Sequence, residues 1–297
     1  MCTAICDNLL FGRTLDLEYS YDESVVITPR HFPLKFRQGI DNCNHYAIIG
    51  TAHVANGYPL YYDAMNEAGL CAAALRFPHL ACYYENDPQK INLASFELIT
   101  WLLCNYDNAE DAKNALQNVN ITSDSFTEKL PSTPLHWLVG DKKQAFVIES
   151  VKEGLKVYDN PFGVLTNAPD FPTQIRLLKQ HGDRVLGDPS STSRFIRIAD
   201  TKSNTAPADG EIDTISRFFH MLGTVNQPDG LFKADNRRLR TVYTSCMDTE
   251  NKIYYFTTYG CRKIRAVKMS TASLNTEKLL IFPMQQKEEI DYLNLKK

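Results

Sequence analysis

Between Leu70 and Leu75 the chain reads Leu-Cys-Ala-Ala-Ala-Leu, apolar at every position. Side chains of a strand alternate between its two faces, so a strand of this composition has no face to offer to water. It fits a sheet covered on both sides by other layers. The run is also the second arm of a hairpin. Residues 58–65 lead in, Asn66-Glu67-Ala68-Gly69 turns, and residues 70–77 lead out. Gly69 can supply the positive φ that such a turn commonly needs.

The rest of the chain supplies layers for that hairpin. Strand patterns fall at 25–28 (stopped by Pro29), 46–51, 136–140, 145–149, 163–166, 242–246, 253–258 and 264–267. A densely apolar helix is expected over 95–106. A second helix follows, capped by Asn108, with Glu110 and Asp111 in its first turn where acids suit the helix dipole. Helical patterns return at 174–179, 193–199 and 212–222. The last carries Ile212, Ile215, Phe218, Phe219 and Leu222 on one stripe, with Gly223 as its stop. Strands cluster toward both ends and helices fall in blocks between them. This order predicts an α+β protein of large antiparallel sheets layered with helices, not a parallel β-α-β sheet. No linker or repeat interrupts the pattern, so residues 1–297 are read as one domain.

Of 297 residues, 43% are hydrophobic and 23% charged, enough to build a large core. A net charge of -3 and a pI near 6.2 argue against nucleic acid or an anionic membrane as partner. No apolar run reaches transmembrane length, and the first residues carry Asp7 without a basic segment, so a cytoplasmic protein is expected. Cys2, Cys6, Cys43, Cys71, Cys82, Cys104, Cys246 and Cys261 include no C-x-x-C pair, which favours reduced, mostly buried thiols. The seven histidines are dispersed and there is no Gly-rich phosphate loop; neither a metal nor a cofactor is expected.

One cysteine stands apart. Cys2 follows the initiator methionine, whose removal is usual before a small residue and would leave Cys2 with both a thiol and a free α-amine. Such an amine titrates at about 8, against about 10.4 for lysine, so near neutral pH it can accept a proton from an attacking thiol. Residues 3–6 are apolar and strand-like, which ties the terminus down. Phe11-Gly12-Arg13-Thr14-Leu15-Asp16 then sets a cation and a carboxylate three residues apart. An arginine beside a thiol favours thiolate, and an aspartate can hold an ammonium group. By themselves Arg13 and Asp16 could equally be a surface ion pair.

Taken in order, M-C-T, F-G-R-T-L-D, M-N-E-A-G-L, L-H-W-L-V-G-D, V-L-T-N-A-P, S-R-F-I-R and Y-T-S-C-M resemble the choloylglycine hydrolase family of bile salt hydrolases and penicillin V acylases. The resemblance spans residues 1 to about 267. It implies an N-terminal-nucleophile hydrolase with a four-layer αββα sandwich, two antiparallel sheets covered by helices. It implies that Cys2, freed of Met1, attacks a linear amide carbonyl and forms an acyl thioester that water hydrolyses. Arg13 and Asp16 match the residues beside the nucleophile, Asn167 the side-chain donor to the oxyanion, and Arg194 the second arginine of the cluster. Read singly, Asn167 before Ala168-Pro169 is also an ordinary turn residue and Arg194 a solvated helix charge. As an ordered set with Cys2, all five are read as catalytic.

Two departures from the family pattern stand out. Where bile salt hydrolases usually read L-N-F-P and penicillin V acylases tend to carry tyrosine at the second position, this chain reads Leu75-Arg76-Phe77-Pro78. The resemblance implies that this position helps the oxyanion hole through its backbone N–H, so catalysis can survive while head-group preference changes, and Arg76 becomes a candidate substrate-binding residue. The segment 171–191 is shorter than in typical members, whose loop there contributes to tetramer contacts; a homo-oligomer smaller than a tight tetramer is expected. The activity expected first is cleavage of glycine- or taurine-conjugated bile acids. The alternatives are a penicillin V acylase or other N-acyl amidase, an acyltransferase working through the same acyl-cysteine, and a non-catalytic binder that keeps Met1.

Overall fold

The computed structural model describes residues 1–39, 41–42, 44–182, 187–234, 237–288 and 290–294. Two antiparallel sheets lie face to face. The larger runs, from edge to edge, Gly154–Asp159, Ala145–Val151, Leu135–Gly140, Cys71–Arg76, Tyr58–Asn66, Ile48–Ala55, Ser24–Thr28 and Leu280–Pro283. The other runs Val164–Leu165, Cys2–Asp7, Leu10–Leu17, Arg237–Asp248, Ile253–Thr258 and Cys261–Lys268, with Phe232–Ala234 paired to the long strand Arg237–Asp248.

The hairpin that opened the argument sits in the middle of the larger sheet, and its parity divides the core. Cys71, Ala73 and Leu75 face the other sheet, in one cluster with Ile27, Met65, Leu138 and Val147. Leu70 and Ala72 face outward, with Ala64, Trp137, Val139 and Phe146, onto Leu98, Ile99, Trp101 and Leu102 of the helix Leu98–Asn105. Each fully buried aliphatic side chain contributes roughly 1.5–3 kcal/mol, which is why neither face is left bare. The helices Phe171–Gln180, Ser191–Asn204 and Glu211–Gly223 supply Phe171, Phe195, Ile198, Ile215, Phe218 and Leu222 to the cluster that includes the smaller sheet. The result is the helix–sheet–sheet–helix stack, an α+β sandwich.

The helix Ala109–Ala115 is capped as expected, Asn108 Oδ1 accepting the Asp111 N–H at 2.9 Å. The first helix begins later than its apolar run, at Leu98, because Glu97 turns back to accept the Ala94 and Arg37 N–H groups. Ile212 is 81% exposed and not on the core stripe; the first turn of its helix lies beyond the packed stretch, and burial begins at Ile215. Several strands go beyond the sequence reading. Gly154–Asp159 and Leu280–Pro283 are edges, half-covered or exposed, whose apolar alternation is weak. Ile91–Ala94 and Val119–Thr122 pair in parallel as a separate two-stranded ribbon, an exception to the antiparallel rule. Cys43 lies outside the described residues, as do 183–186 of the shortened segment. The other seven cysteines are all free thiols. Among the described residues no helix is long and apolar enough to cross a membrane.

The glycine of F-G-R-T-L-D has a steric reason. A Cβ at Gly12 would lie 2.1 Å from the backbone oxygen of Ser245 and 2.8 Å from the ring of Phe218. Backbone cannot yield as a side chain can, so Gly12→Ala should cost roughly 1–3 kcal/mol by overpacking. A lowered urea midpoint at unchanged m-value would register it; an unchanged midpoint would show that the strands separate freely here.

Candidate active site

Register decides which side chains meet. Cys2 pairs with Leu15 and Ala4 with Arg13, so Cys2, Arg13 and Leu15 share the face turned toward the larger sheet. Thr3, Thr14 and Asp16 belong to the opposite face. Arg13 and Asp16, three residues apart on one strand, therefore flank the nucleophile from two sides. They form no ion pair with each other, and both are fully buried.

Arg13 works across the sandwich. The ladder between Tyr58–Asn66 and Cys71–Arg76 ends at the pair Asp63 and Ala73, and beyond it carbonyl groups are left open. Arg13 Nη1 fills that gap, donating to Tyr62 O at 3.0 Å and Ala74 O at 2.6 Å. Its Nη2 is buried without a partner. Burial works against its charge, but the acidic groups Cys2, Tyr243, Asp63 and Asp16 outweigh it and hold the guanidinium above its ordinary pKa. Asp63 is itself buried, raised by desolvation, and receives hydrogen bonds from Tyr243, Ser245 and Tyr254.

On the other face, Arg194 in the first turn of Ser191–Asn204 is as deeply buried as Arg13 and is no solvated helix charge. Its Nη1 donates to Cys2 O and Thr3 Oγ1, both at 2.6 Å, and its Nη2 to Asn167 Oδ1 at 2.8 Å. Here burial prevails and lowers the guanidinium pKa, although arginine remains charged in proteins. Asn167 is the hub. Its Oδ1 also accepts the Cys2 N–H at 2.8 Å, its Nδ2 donates to Arg76 O at 2.8 Å, and its backbone N–H donates to Ser191 Oγ at 2.8 Å.

In the full sequence the Met1 ammonium donates to the backbone oxygen of Asp16 at 2.7 Å while Asp16 N–H returns a bond to Met1 O at 2.8 Å. Burial pushes that ammonium below its ordinary pKa against the pull of Cys2 and Asp16. Asp16 Oδ1 accepts from Thr241 at 2.7 Å, and Oδ2 is buried without a partner. A carboxylate oxygen left open beside a chain terminus is a place for an ammonium group.

Cys2 and Arg13 line a cleft of about 480 Å³. Its walls include Leu15, Leu60, Tyr62, Phe96, Phe126 and Leu130, and besides Arg13 its charged residues are Arg76, Lys129, Arg237 and Glu18. Arg237 is bound to Glu18 at 2.8 Å. Arg76 divides in two: its backbone oxygen belongs to the buried site through Asn167, while its side chain is exposed and borders the cleft. The sequence reading singles out none of Tyr62, Ser191 and Gln174, whose side chain donates to Asn167 O and Pro169 O. A glutamine two positions after a proline in a polar helix carries no signal of its own; tertiary contact alone marks it.

The family model for linear amide C–N hydrolases of the choloylglycine hydrolase family matches residues 2–185 and 182–282. The chain is 42% identical to a bile salt hydrolase/transferase of Lactiplantibacillus plantarum, an alignment that covers 99% of this chain and 100% of that protein. It is 32% identical to a bile salt hydrolase/transferase of Clostridium perfringens, over 99% and 100% of the two chains. The crystal structure of a variant of the conjugated bile acid hydrolase from Clostridium perfringens superposes with a TM-score of 0.91 at 31% identity, covering 99% of this chain and 100% of that one. A penicillin V acylase from Agrobacterium tumefaciens shares the fold, with a TM-score of 0.78 at 19% identity over 94% and 90%. The match from end to end, across the segments that carry Cys2, Arg13, Asn167 and Arg194, leaves one conclusion: this chain belongs to the choloylglycine hydrolase family and is a hydrolase of linear amide C–N bonds.

Proposed function

We propose that this enzyme hydrolyses glycine- or taurine-conjugated bile acids through Cys2 as an N-terminal nucleophile. The observation that carries the reading is the convergence of Arg13, Asn167 and Arg194 on Cys2, with Asp16 beside it, at a cleft with apolar walls and exposed arginines and a lysine among its lining. An apolar steroid with an anionic head group suits such a cleft. The relatives named as bile salt and conjugated bile acid hydrolases support the same substrate class.

After Met1 is removed, the Cys2 amine takes the thiol proton and the thiolate attacks the amide carbonyl. Arg13, on the same face as the thiol, stabilises the thiolate. Asp16 Oδ2 holds the ammonium, and Arg194 fixes the Cys2 carbonyl. The oxyanion meets two donors. Asn167 Nδ2 carries two hydrogens and spends one on Arg76 O, leaving one for the substrate. In an extended strand the N–H and C=O of a residue project to the same side, so the Arg76 N–H fronts the position from which Asn167 reaches. The protonated amine then protonates the leaving nitrogen, and water cleaves the thioester. A side-by-side product assay on glycocholate, taurocholate and penicillin V tests the reading. Glycine or taurine release is expected; turnover of penicillin V alone would refute it.

Arg76 is assigned to the head group. A guanidinium can meet a carboxylate or a sulfonate with paired, charge-assisted hydrogen bonds. Arg76→Ala should lower kcat/KM for glycocholate by roughly 1.5–3 kcal/mol and spare an uncharged cholyl amide. Arg76→Asn should recover part of the loss. Equal losses on both substrates would exclude head-group recognition.

The chain is read as one cytoplasmic domain, a reading supported by the core the two sheets share and by its free thiols. Because the segment between Phe171 and Ser191 is short, it is expected to assemble as a dimer or a loosened tetramer. Sedimentation velocity over a wide concentration range would contradict this by showing one tight tetramer.

A further inference from the structure

His136 and Glu149 are register partners on two neighbouring apolar strands of the larger sheet, and both are fully buried. His136 Nδ1 lies 3.2 Å from Glu149 Oε1, and its Nε2 lies 2.7 Å from Thr166 O. A carbonyl oxygen only accepts, so Nε2 carries a hydrogen, and Nδ1 faces the Glu149 carboxyl group within hydrogen-bond reach. Glu149 Oε2 has no partner. A buried pair of this kind costs desolvation that its mutual attraction rarely exceeds, so stability is a poor reason for its presence.

Its contacts point elsewhere. Thr166 immediately precedes Asn167, the proposed side-chain donor. Phe77 immediately follows Arg76, the proposed backbone donor, and its ring stacks on the His136 imidazole with centroids 4.3 Å apart and planes 8° apart. Glu149 Oε1 also accepts the Phe171 N–H at 3.0 Å, at the start of the helix whose Gln174 amide bonds the carbonyls of Asn167 and Pro169. One imidazole thus touches the neighbour of each donor, and its carboxylate partner anchors the helix that holds Asn167 from the other side.

We infer that His136, oriented by Glu149, is a positioning residue that holds Asn167 and Arg76 at a fixed spacing in front of Cys2. Neither His136 nor Glu149 lines the cleft. The pair acts through the donors and not on the substrate, and the inference rests on the amidase reading above.

The test is a double-mutant cycle on the full-length enzyme with glycocholate and penicillin V. His136→Phe keeps a flat ring for Phe77 and removes the donor to Thr166. It is expected to lower kcat roughly 10- to 100-fold with KM changed less than about threefold, the pattern of a lost transition-state interaction. Made in Asn167→Ala, the same change should cost clearly less than it does alone, since one of the two donors it positions is gone. His136→Gln can again donate to Thr166 O and should restore part of kcat. Glu149→Gln keeps the packing and an acceptor for the Phe171 N–H but removes the acid that faces Nδ1, so a smaller loss with the same dependence on Asn167 is expected. Full wild-type kcat in folded His136→Phe, or losses that multiply in full with Asn167→Ala, would overturn the inference. So would failure of both His136→Phe and Glu149→Gln to fold cooperatively, which would make the pair a core element. Wild-type inactivity on both substrates would instead overturn the amidase reading and this inference with it; an active wild type with unaffected variants overturns this inference alone.

Discussion

Cys2→Ala should abolish hydrolysis of glycocholate while leaving the thermal midpoint close to that of the wild type. The expected loss is the whole catalysed rate, because the amine, the oxyanion donors and the two arginines have no nucleophile to serve without the sulfur. Four of the other thiols are too deeply buried to take its place. Cys6 is pushed up to about 12 by burial, and burial raises Cys71, Cys104 and Cys246 well above the ordinary thiol range. They remain protonated at neutral pH, and the thiol form is not the nucleophile. Alanine at Cys6, Cys71 or Cys82, none of which lines the cleft, should leave turnover substantially intact. Retaining Met1 should be nearly as damaging as losing the sulfur. With Met1 attached, the Cys2 nitrogen is an amide that donates to Asn167 and has no lone pair to accept a proton. Intact-mass spectrometry on the protein whose activity is measured separates the two forms. Full activity in Cys2→Ala, or in protein that carries Met1 throughout, would end the N-terminal-nucleophile mechanism for this chain.

Asn167→Ala should lower kcat on the order of 10²–10³, the usual effect of removing one oxyanion donor. It should also lower the thermal midpoint, for a structural reason. The Asn167 side chain accepts from Cys2 N–H and Arg194 Nη2, and both donors are buried. Each would be left unsatisfied, at about 1–3 kcal/mol apiece before relaxation. Asn167→Asp separates the two effects. Aspartate still accepts from both donors but offers no N–H to a substrate oxygen, so its kcat should fall comparably while its stability falls less. Stopped assays over a range of glycocholate concentrations resolve kcat from KM. A change confined to KM would contradict the oxyanion role.

Much of this protein could be read before any contact was known. The doubly apolar run at 70–75 demands covered faces, and the structure covers them with a second sheet and the helix Leu98–Asn105. The cap at Asn108 and the central strands were legible for the same local reason: backbone bonding and side-chain alternation are set by neighbours in sequence. The edge strands Gly154–Asp159 and Leu280–Pro283 were not, since half-exposed strands lose the alternation that marks them. Ile212 was misplaced because a helical stripe says which residues share a face but not where the face runs out.

At the site, the sequence by itself pointed to Cys2, Arg13 and Asp16 through the special position of a second-residue cysteine, while Asn167 and Arg194 entered only through the family resemblance of the motifs that carry them. Only the tertiary structure decided how they relate. Strand register put Arg13 and Asp16 on opposite faces, and the end of a ladder opened the carbonyls of Ala74 and Tyr62 that Arg13 fills. His136, a lone histidine in an apolar strand, and Glu149, a lone acid in the next, become a pair only when those strands lie side by side. The physical reason is the same in each case. A residue's chemistry is local and is written in the chain, whereas burial and partnership belong to distances that exist only after the two sheets have closed on each other.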